Sequence, residues 1–422
     1  MNKNILFLLL FISPFFLKAQ EKDAEKSYGI KFSGFVKNDF FFDSRQTTAV
    51  REGHFLLYPK NVDPDNDGMD INAAPSFNFL SIQTRLKGAI TGPDAFGAKT
   101  SGLIEGAFFG HTDGDINGFR LRHAYMKLNW EKTELLLGQT WHALFITDCF
   151  PGVVSFNTGV PFQPFSRNPQ IRFTRFFGDL SLTVTAMSQR DFASPGGSTS
   201  LRNAVIPAMN VKLQYKTENK DKGSMFVAGV SGDAKALRPR LESAAGYQAN
   251  QLVQGLSGLA YMKMQTKDIT VKLEGVYGQN LFDLLMLGGY AHAYTDDTNM
   301  INKDLLEYTT MDNLSIWTEF HTNGKGFQTG VFAGFTKNMG SYSNIMDWTS
   351  AASYKSRGSN IDYVYRISPR IIYNMGKARF AAECEYTVAA YGSVATNNSL
   401  GQVQNAEEVS NLRLLLAAYY FF

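Results

Sequence analysis

Apolar and polar residues alternate along most of this chain. In the segment 209–216 every odd position is apolar and every even position is polar, and most of the segment 269–278 repeats the pattern. Since successive side chains of a β-strand point to opposite faces, the alternation predicts strands with one apolar and one polar face. We count sixteen such strands, centred near residues 36, 84, 104, 124, 137, 173, 184, 213, 228, 260, 273, 317, 331, 366, 383 and 415. In the second of them, the predicted apolar face is Leu80, Ile82, Leu86 and Ile90.

The links between the predicted strands alternate between short and long, except that the link 111–118, between the third and fourth strands, is short where a long loop is expected. The short links carry turn residues, as in TGPDAFGA, TENKDKG and HTNGKG. The long links span 140–167, 189–207, 232–250, 279–311, 337–360 and 391–408. Short turns on one side and long loops on the other are the layout of outer-membrane barrels. We therefore predict an all-β fold, a transmembrane antiparallel β-barrel of about 16 strands, which occupies residues 20–422 as one domain.

The composition favours a membrane protein over a soluble enzyme. Of the 422 residues, 14% are aromatic, 37 are Gly and only 19% are charged, as expected for a barrel with aromatic girdles. Beyond the first residues, no segment approaches the ~20 consecutive apolar residues that a membrane-spanning helix needs. The formal net charge of +3 gives no basic bias that would indicate nucleic acid as a partner.

Both ends of the chain carry the features of an exported barrel. Residues 1–19 have Lys3, a short apolar run and a small residue before Gln20, which predicts a secretory signal peptide. The last strand ends in LRLLLAAYYFF, with apolar side chains on one face and the aromatic Phe422 as the final residue. This ending resembles the C-terminal signal that the barrel-assembly machinery recognises. We expect the outer membrane of a Gram-negative bacterium as the location, with outer-membrane lipid around the barrel and that machinery as a partner during biogenesis.

The segment 140–167 is the most distinctive loop of the chain. It follows the fifth predicted strand and contains three prolines but no secondary-structure period. Its aromatic residues are Trp141, Phe145, Phe150, Phe156, Phe162 and Phe165. A loop this long and this aromatic is seldom plain surface, and the lumen of a barrel gives it something to pack against. We predict that it folds into the pore, and an outward surface loop is the alternative. The constriction residues would be Trp141, His142, Asp148 and Phe150.

Arginine residues inside the predicted strands must face the lumen. An arginine that points at lipid costs about 2–4 kcal/mol at the midplane of a bilayer. The inward arginines are then Arg85, Arg120, Arg122, Arg172, Arg366 and Arg370, with Arg413 near the end. A guanidinium binds a carboxylate or phosphate in a planar two-bond fork, so an arginine-lined constriction favours anions. We expect the first four to converge on one wall facing Asp148. In the alternative, the arginines pair with inward carboxylates and only hold the lumen together.

An acidic stretch in the first long loop suggests calcium. Four residues match positions one, three, five and six of a calcium-binding loop: Asp63, Asp65, Asp67 and Gly68. The twelfth position is Ala74, so the bidentate glutamate is missing. Ca²⁺ is the one cofactor that the sequence suggests. The six histidines are scattered without a metal-binding spacing, which gives catalysis little support; His142, at the root of the long loop, either packs there or contacts solutes.

Four motifs indicate a family. They are FRLRHAY at 119–125, GQTW at 138–141, NPQIRFT at 168–174 and SPRIIYN at 368–374. With these motifs the chain resembles the DcaP-like porins, which are trimeric outer-membrane channels. The resemblance runs over most of the chain after residue 20. It implies a barrel of about sixteen strands, a loop after the fifth strand folded into the pore, a homotrimer, and uptake of small anions such as dicarboxylates.

The sequence therefore predicts a porin for passive diffusion of small hydrophilic solutes, with a preference for small anions. Three alternatives stay open. A phosphate- or polyphosphate-selective porin would carry a lysine-rich ladder rather than the mixed lumen expected here. An outer-membrane hydrolase would place Ser or Asp beside a His at one height of the barrel. A purely structural barrel would pass no current.

Overall fold

The computed structural model describes residues 28–110, 113–346, 353–394 and 400–422. The predicted signal peptide, residues 1–19, lies outside them. Strands dominate the described chain. In chain order they are β1 (Gly29–Asp43), β2 (Thr47–Val50), β3 (Phe55–Pro59), β4 (Ser76–Leu80), β5 (Arg85–Thr91), β6 (Lys99–Ala107), β7 (Arg120–Asn129), β8 (Thr133–Trp141), β9 (Arg167–Phe177), β10 (Leu180–Met187), β11 (Ala208–Asn219), β12 (Ser224–Leu237), β13 (Val253–Gln265), β14 (Ile269–Gln279), β15 (Gly288–Ala293), β16 (Glu307–Thr322), β17 (Phe327–Ser341), β18 (Tyr354–Arg357), β19 (Ile361–Met375), β20 (Ala378–Val394) and β21 (Val403–Phe421).

Helical structure is confined to the connections. Helix α1 (Ser198–Asn203) follows β10, and helix α2 (Thr298–Asn302) follows β15. One-turn 3-10 segments lie at Ile71–Ala73, Asp113–Asp115 and Phe282–Leu284. Within the described part of the chain, none of these helices is long and apolar enough to cross a membrane.

The strands form one closed antiparallel barrel. β1 pairs with β21 on one side and with β4 and β5 on the other, so the described strands close into a ring. Sixteen strands build the wall, because β2 and β3 form a separate hairpin and β4, β15 and β18 extend the lines of longer strands. These coincide with the sixteen strands that the sequence predicts, the one centred near residue 84 being β4 and β5 together. The predicted fold is therefore confirmed.

The short turns lie together at one end of the barrel. They are the connections 92–98, 130–132, 178–179, 220–223, 266–268, 323–326 and 376–377. Outer-membrane barrels have short periplasmic turns and longer extracellular loops, so this end is the periplasmic one. The start of β1 and the end of β21 lie at the same end.

Alternation along the wall strands separates an apolar exterior from a polar interior. On β11, Val211 is 50% exposed and Leu213 is 42% exposed, whereas Asn210 is 1% exposed. Since lipid surrounds the outside of a membrane barrel, the exposed apolar side chains face lipid and the buried polar ones face the lumen. The closed ring also satisfies the backbone hydrogen bonds internally, which any membrane-spanning structure requires.

One detail of the wall differs from the sequence prediction. Ile82 was expected to share the lipid face with Leu86, but it is 3% exposed and packs into the interior core. The cause is a turn at 81–84, which separates β4 from β5. The alternation of inward and outward side chains does not continue through a turn. Ile82, which lies in the turn, therefore need not share the outward face of Leu86 in β5.

Three segments pack together inside the ring of strands. They are the β2–β3 hairpin, the loop 142–166 and the segment 280–287. Phe55 of the hairpin packs edge-on against Phe165 of the loop, with ring centroids 5.1 Å apart. The backbone N–H of Phe165 donates to the carbonyl oxygen of Leu284 at 3.0 Å. The three segments form an apolar core within the wall, which narrows the lumen.

Candidate solute pathway

The loop 142–166 is tied to inward-facing side chains of the wall. Lys216 of β11 forms an ion pair with Asp148 of the loop, with Nζ and Oδ1 2.7 Å apart. Lys272 of β14 donates from Nζ to the carbonyl oxygen of Phe150 at 2.8 Å. These contacts fix residues 148–150 of the loop to β11 and β14, which lie three and six strands from β8 in the order of the sheet.

Carboxylates hold the tip of the loop. Glu319 of β16 accepts a hydrogen bond from the backbone N–H of Gly152 at 2.8 Å, and Glu383 of β20 accepts one from the N–H of Val154. Lys37 of β1 donates to the carbonyl oxygen of Val154 at 3.0 Å. Because β16 and β20 lie on the opposite side of the ring from β8, the loop reaches across the lumen.

Arg366 and Arg370 anchor the internal segments. Arg366 of β19 donates from Nη1 to the carbonyl oxygen of Val160 at 2.9 Å and from Nη2 to that of Leu56 at 3.0 Å. It thereby joins the loop to the β2–β3 hairpin. Arg370 pairs with Glu319, the same carboxylate that holds the loop tip. For these two arginines, the geometry fits the alternative in which charged pairs hold the lumen together.

The structure brings Arg85 and Arg122 together. Arg122 of β7 pairs with Glu105 of β6, with Nε and Oε1 2.6 Å apart. The Cζ atoms of Arg85 and Arg122 lie 5.9 and 6.0 Å from the centre of the Phe156 ring. Arg122 also lies over the indole of Trp141, at 5.9 Å. Three wall strands, β5, β6 and β7, and the long loop therefore meet at this point.

A second group of arginines surrounds Asp191, which follows β10. Arg120 lies 2.5 Å from its Oδ1, Arg51 3.3 Å from the same oxygen, and Arg167 2.6 Å from Oδ2. Burial works to raise the pKa of the Asp191 carboxyl, but the positive charges of Arg167, Arg120 and Arg51 outweigh it and hold that pKa below its ordinary value. The carboxylate is therefore ionised at neutral pH and links three separate segments.

The two groups adjoin, because the Cζ atom of Arg167 lies 4.9 Å from the centre of the Trp141 ring that Arg122 also contacts. We call the five residues Arg51, Arg85, Arg120, Arg122 and Arg167 the arginine cluster. Their salt bridges use two carboxylates, Glu105 and Asp191. Among the described residues, Nη1 of Arg51, Nη2 of Arg122 and Nη1 of Arg167 have no hydrogen-bond partner. Positive charge is in excess at the root of the loop.

Arg172 and Asp148 do not take the places expected of them. Arg172 donates to the carbonyl oxygen of Trp141 at 2.9 Å and lines a cavity of about 280 Å³ beside Lys87 and Glu134. Asp148 was expected to face the arginines, but it pairs with Lys216 of β11. The path of an irregular loop sets its position, and the residue pattern does not predict that path. The prediction of one wall that carries all four arginines and faces Asp148 is therefore wrong for Arg172 and Asp148, although Arg85, Arg120 and Arg122 do lie in the cluster.

The remaining constriction residues divide into packed and accessible ones. Trp141 stacks on Phe145, with ring centroids 3.9 Å apart and planes 10° apart. His142 is buried, and its Nδ1 accepts a hydrogen bond from the N–H of Leu144 at 3.1 Å. Burial lowers the pKa of His142 to about 4, so the ring is neutral at physiological pH and serves packing. Phe150 is 38% exposed and offers an aromatic surface to solutes.

Several of these residues escaped the sequence analysis. Arg51 and Asp191 lie in connections that have no periodic signal, and Arg167 is the first residue of β9. The segment 280–287 was assigned only to a long loop, although its run LFDLLML is unusually apolar for an exposed connection. That run is the signal that could have identified a third internal segment.

The acidic stretch of the first loop forms a turn. Oδ1 of Asp65 accepts hydrogen bonds from the N–H groups of Asp67 and Met69, each at 2.9 Å. The N–H of Asp63 donates to Asp70 at 3.0 Å. Within the described ranges, no three His, Cys, Asp or Glu side chains are grouped so that they could hold a metal ion. Calcium binding at Asp63, Asp65 and Asp67 stays a prediction.

Comparison with solved structures gives the fold a context. The outer membrane channel DcaP of Acinetobacter baumannii matches with a TM-score of 0.68 at 15% sequence identity, over 95% of this chain and 99% of that chain. OmpT of Vibrio cholerae matches with a TM-score of 0.51 at 10% identity, over 95% and 100%. OprB of Pseudomonas putida matches with 0.50 at 8% identity, over 93% and 94%. No family model and no curated protein sequence matches the chain.

These likenesses establish the fold. The chain has the sixteen-strand architecture of the DcaP channel, so the resemblance to DcaP-like porins is confirmed at the level of the fold. The closed ring, its apolar exterior and this likeness agree on a location in the outer membrane of a Gram-negative bacterium.

Proposed function

We propose that the protein is a porin, a water-filled channel for passive diffusion of small hydrophilic solutes, with a preference for small anions such as dicarboxylates. The likeness in fold to the outer membrane channel DcaP of Acinetobacter baumannii supports the channel. Charged and polar side chains on the inner face of the wall support a hydrophilic route through it. The loop 142–166 reaches across this route and would set its narrowest part.

The arginine cluster is the observation that carries the anion preference. The cluster has five guanidinium groups at the root of the loop, and the four salt bridges among them use only two carboxylates, Glu105 and Asp191. Most of these side chains are buried, so they act on a passing solute through their electric field. A narrow, partly desolvated lumen screens that field less than bulk water does, and it raises the local concentration of anions.

A channel is favoured over the other functions considered. The named structural relatives include a channel. A hydrolase would need a reactive His beside Ser or Asp; Nε2 of His142 lies 4.0 Å from Oδ1 of Asp233, but this His is buried, neutral and bonded to the loop backbone through Nδ1. The homotrimer is proposed from the resemblance to DcaP-like porins, and single-channel recordings would then close in three equal steps. Calcium in the first loop is a minor part of the proposal, and it would be tested by calorimetric titration.

Liposome swelling tests the proposed function. Liposomes that contain the purified protein are placed in isosmotic succinate, or in an organic cation of similar size, and the swelling rates are compared. We expect faster swelling in succinate, and we expect Arg122→Gln to reduce that advantage. The control is Arg202→Gln, which removes an exposed arginine of α1. Equal rates for anion and cation would refute the anion preference, and the absence of swelling in both solutes would refute the channel.

A further inference from the structure

Four lysines line the lumen near its periplasmic end. Lys212 and Lys216 lie on β11, Lys263 on β13 and Lys272 on β14. In the antiparallel register, Lys216 is paired with Val227 of β12, and Val227 is paired with Lys263 on its other side. Lys263 in turn lies directly opposite Lys272. Three of the four therefore follow one line of paired residues across β11, β12, β13 and β14, and Lys212 lies two inward positions along β11 from Lys216. We call the four residues the lysine row.

The pairing of Lys263 with Lys272 is unfavourable for the wall itself. Residues directly opposite on antiparallel strands have Cβ atoms about 4.5–5.5 Å apart, and like charges at this distance destabilise the pair. An opposite charge at either position would stabilise the same strands. Residues that destabilise their own strand pair, and that no structural contact compensates, are expected at functional sites.

Two of the four ammonium groups form no salt bridge with a carboxylate among the described residues. Among the residues that the structure describes, Lys212 makes no hydrogen bond or salt bridge. The Nζ atom of Lys263 approaches only the sulfur of Met225, at 3.8 Å. Both side chains are half-buried, and the carboxylates that attract them, Asp148 for both and Glu134 for Lys212, are already paired with Lys216 and Lys127.

The carboxylates next to the other two lysines are already shared. Lys272 pairs with Glu319 at 2.9 Å, but the same carboxylate also pairs with Arg370. Lys216 pairs with Asp148 at 2.7 Å, and its side chain is still 39% exposed. The row therefore carries a net positive charge that the neighbouring carboxylates do not cancel.

The lysine row lies directly below the constriction loop. Lys216 and Lys272 hold Asp148 and Phe150 of that loop, and the row stands close to the periplasmic turn 266–268. A solute that has passed the loop toward the periplasm meets the row next. The wall residues of the arginine cluster lie on other strands, β5, β7 and β9, and Arg51 lies in the connection between β2 and β3.

We propose that the lysine row is a second binding site of the channel, specific for oxyanions that carry two or more negative charges, such as phosphate or pyrophosphate. An ammonium group is a compact point charge without the planar fork of a guanidinium, so the row selects by charge rather than by carboxylate geometry. A multivalent oxyanion bridges neighbouring ammonium groups, which a single chloride ion cannot do. This inference rests on the proposed anion-conducting function and identifies a solute class for it.

Block of chloride current by pyrophosphate tests the proposal. The wild-type channel is recorded in planar bilayers in KCl at neutral pH, and pyrophosphate is added to both sides. We expect block in the wild type, and a half-blocking concentration at least about tenfold higher in the double variant Lys212→Gln with Lys263→Gln, because two unit charges are lost. The charge-preserving double variant Lys212→Arg with Lys263→Arg should keep most of the block. The control is Lys337→Gln, which removes a lysine paired with Asp362 away from the row.

The outcomes separate this proposal from the one on which it rests. An anion-selective wild-type channel that pyrophosphate does not block, or blocks equally in the double glutamine variant, would overturn the lysine site and leave the porin function intact. A wild-type channel without anion selectivity would overturn both. Folding is checked by heat-dependent gel migration, and loss of a repulsive lysine pair is not expected to prevent it.

Discussion

Gly34 and Phe422 close the barrel. The N–H of Gly34 donates to the carbonyl oxygen of Phe422, and the N–H of Phe422 donates to the carbonyl oxygen of Gly34, both at 3.1 Å. A Cβ atom at position 34 would lie 2.8 Å from the Phe422 ring and 2.1 Å from the carbonyl oxygen of Arg85, so this position requires glycine. The final residue of the chain is therefore part of the seam between the first and last strands.

Deleting Tyr420–Phe422 is expected to reduce the amount of assembled barrel sharply. The deletion removes the last hydrogen bonds of the seam and the aromatic end that resembles an assembly signal. The measurement is the amount of heat-modifiable protein in outer-membrane fractions. Phe422→Tyr serves as the control, because it keeps an aromatic end. Unchanged levels after the deletion would count against the assembly role of these residues.

Releasing the tip of the loop is expected to widen the channel. In the double variant Glu319→Ala with Glu383→Ala, the N–H groups of Gly152 and Val154 lose their acceptors on the wall. We expect higher single-channel conductance and larger current fluctuations. Glu408→Ala, which removes a carboxylate bonded to Tyr363 on an exposed part of the chain, is the control. Conductance equal to that of the wild type would show that the loop tip does not limit the current.

Arg366→Met is expected to destabilise the barrel by about 2–5 kcal/mol, because it leaves buried acceptors without a donor. The affected acceptors are the carbonyl oxygens of Leu56 and Val160. The carboxylate of Glu385 keeps its hydrogen bond from Asn157 but loses its salt bridge. The midpoint of denaturant unfolding measures the change. Arg202→Met, at an exposed position, should stay within about 0.5 kcal/mol of the wild type. Equal stability of the two variants would show that Arg366 is not a structural clamp.

Acid is expected to loosen the connection 188–207, which Asp191 holds to Arg51, Arg120 and Arg167. The pKa of Asp191 is lower in the folded protein than in the unfolded chain, so its contribution to stability is complete above the unfolded value. It is lost as the pH falls below about 4 toward the folded value.

Hydrogen exchange in the connection 188–207 at neutral and at acidic pH measures this effect. The wild type should lose protection at low pH, whereas Asp191→Asn should already be less protected at neutral pH and change little on acidification. A wild type with the same protection at both pH values would contradict the role given to Asp191.

The sequence predicts the wall strands of this barrel better than the segments that pack inside it. Apolar and polar residues alternate along a wall strand because one side faces lipid and the other faces water. The pattern of residues alone therefore predicts β11 and β14. The alternation fails where a turn interrupts a strand, as at Ile82 between β4 and β5. It carries no information about irregular segments, so the position of Asp148 beside Lys216 could not be derived.

The candidate site shows the same division. Arg85, Arg120 and Arg122 were identified because in-strand arginines must face the lumen. Arg51 of the cluster and its partner Asp191 lie in connections, where no period distinguishes an internal segment from an external one, and Arg167 is at the very start of β9. Only the apolar composition of the segment 280–287 indicates that it packs inside the barrel. Long-range contacts among loops depend on three-dimensional closure of the barrel, which a single sequence does not encode in any local pattern.

The central claim is that fixed positive charge makes the lumen selective for anions, and the reversal potential in a KCl gradient tests it most directly. The wild-type channel, recorded in planar bilayers, should reverse close to the chloride equilibrium potential. The double variant Arg85→Gln with Arg122→Gln should shift the reversal potential toward zero, while Arg202→Gln should leave it unchanged. A wild-type reversal potential at zero, or on the potassium side of zero, would contradict the account.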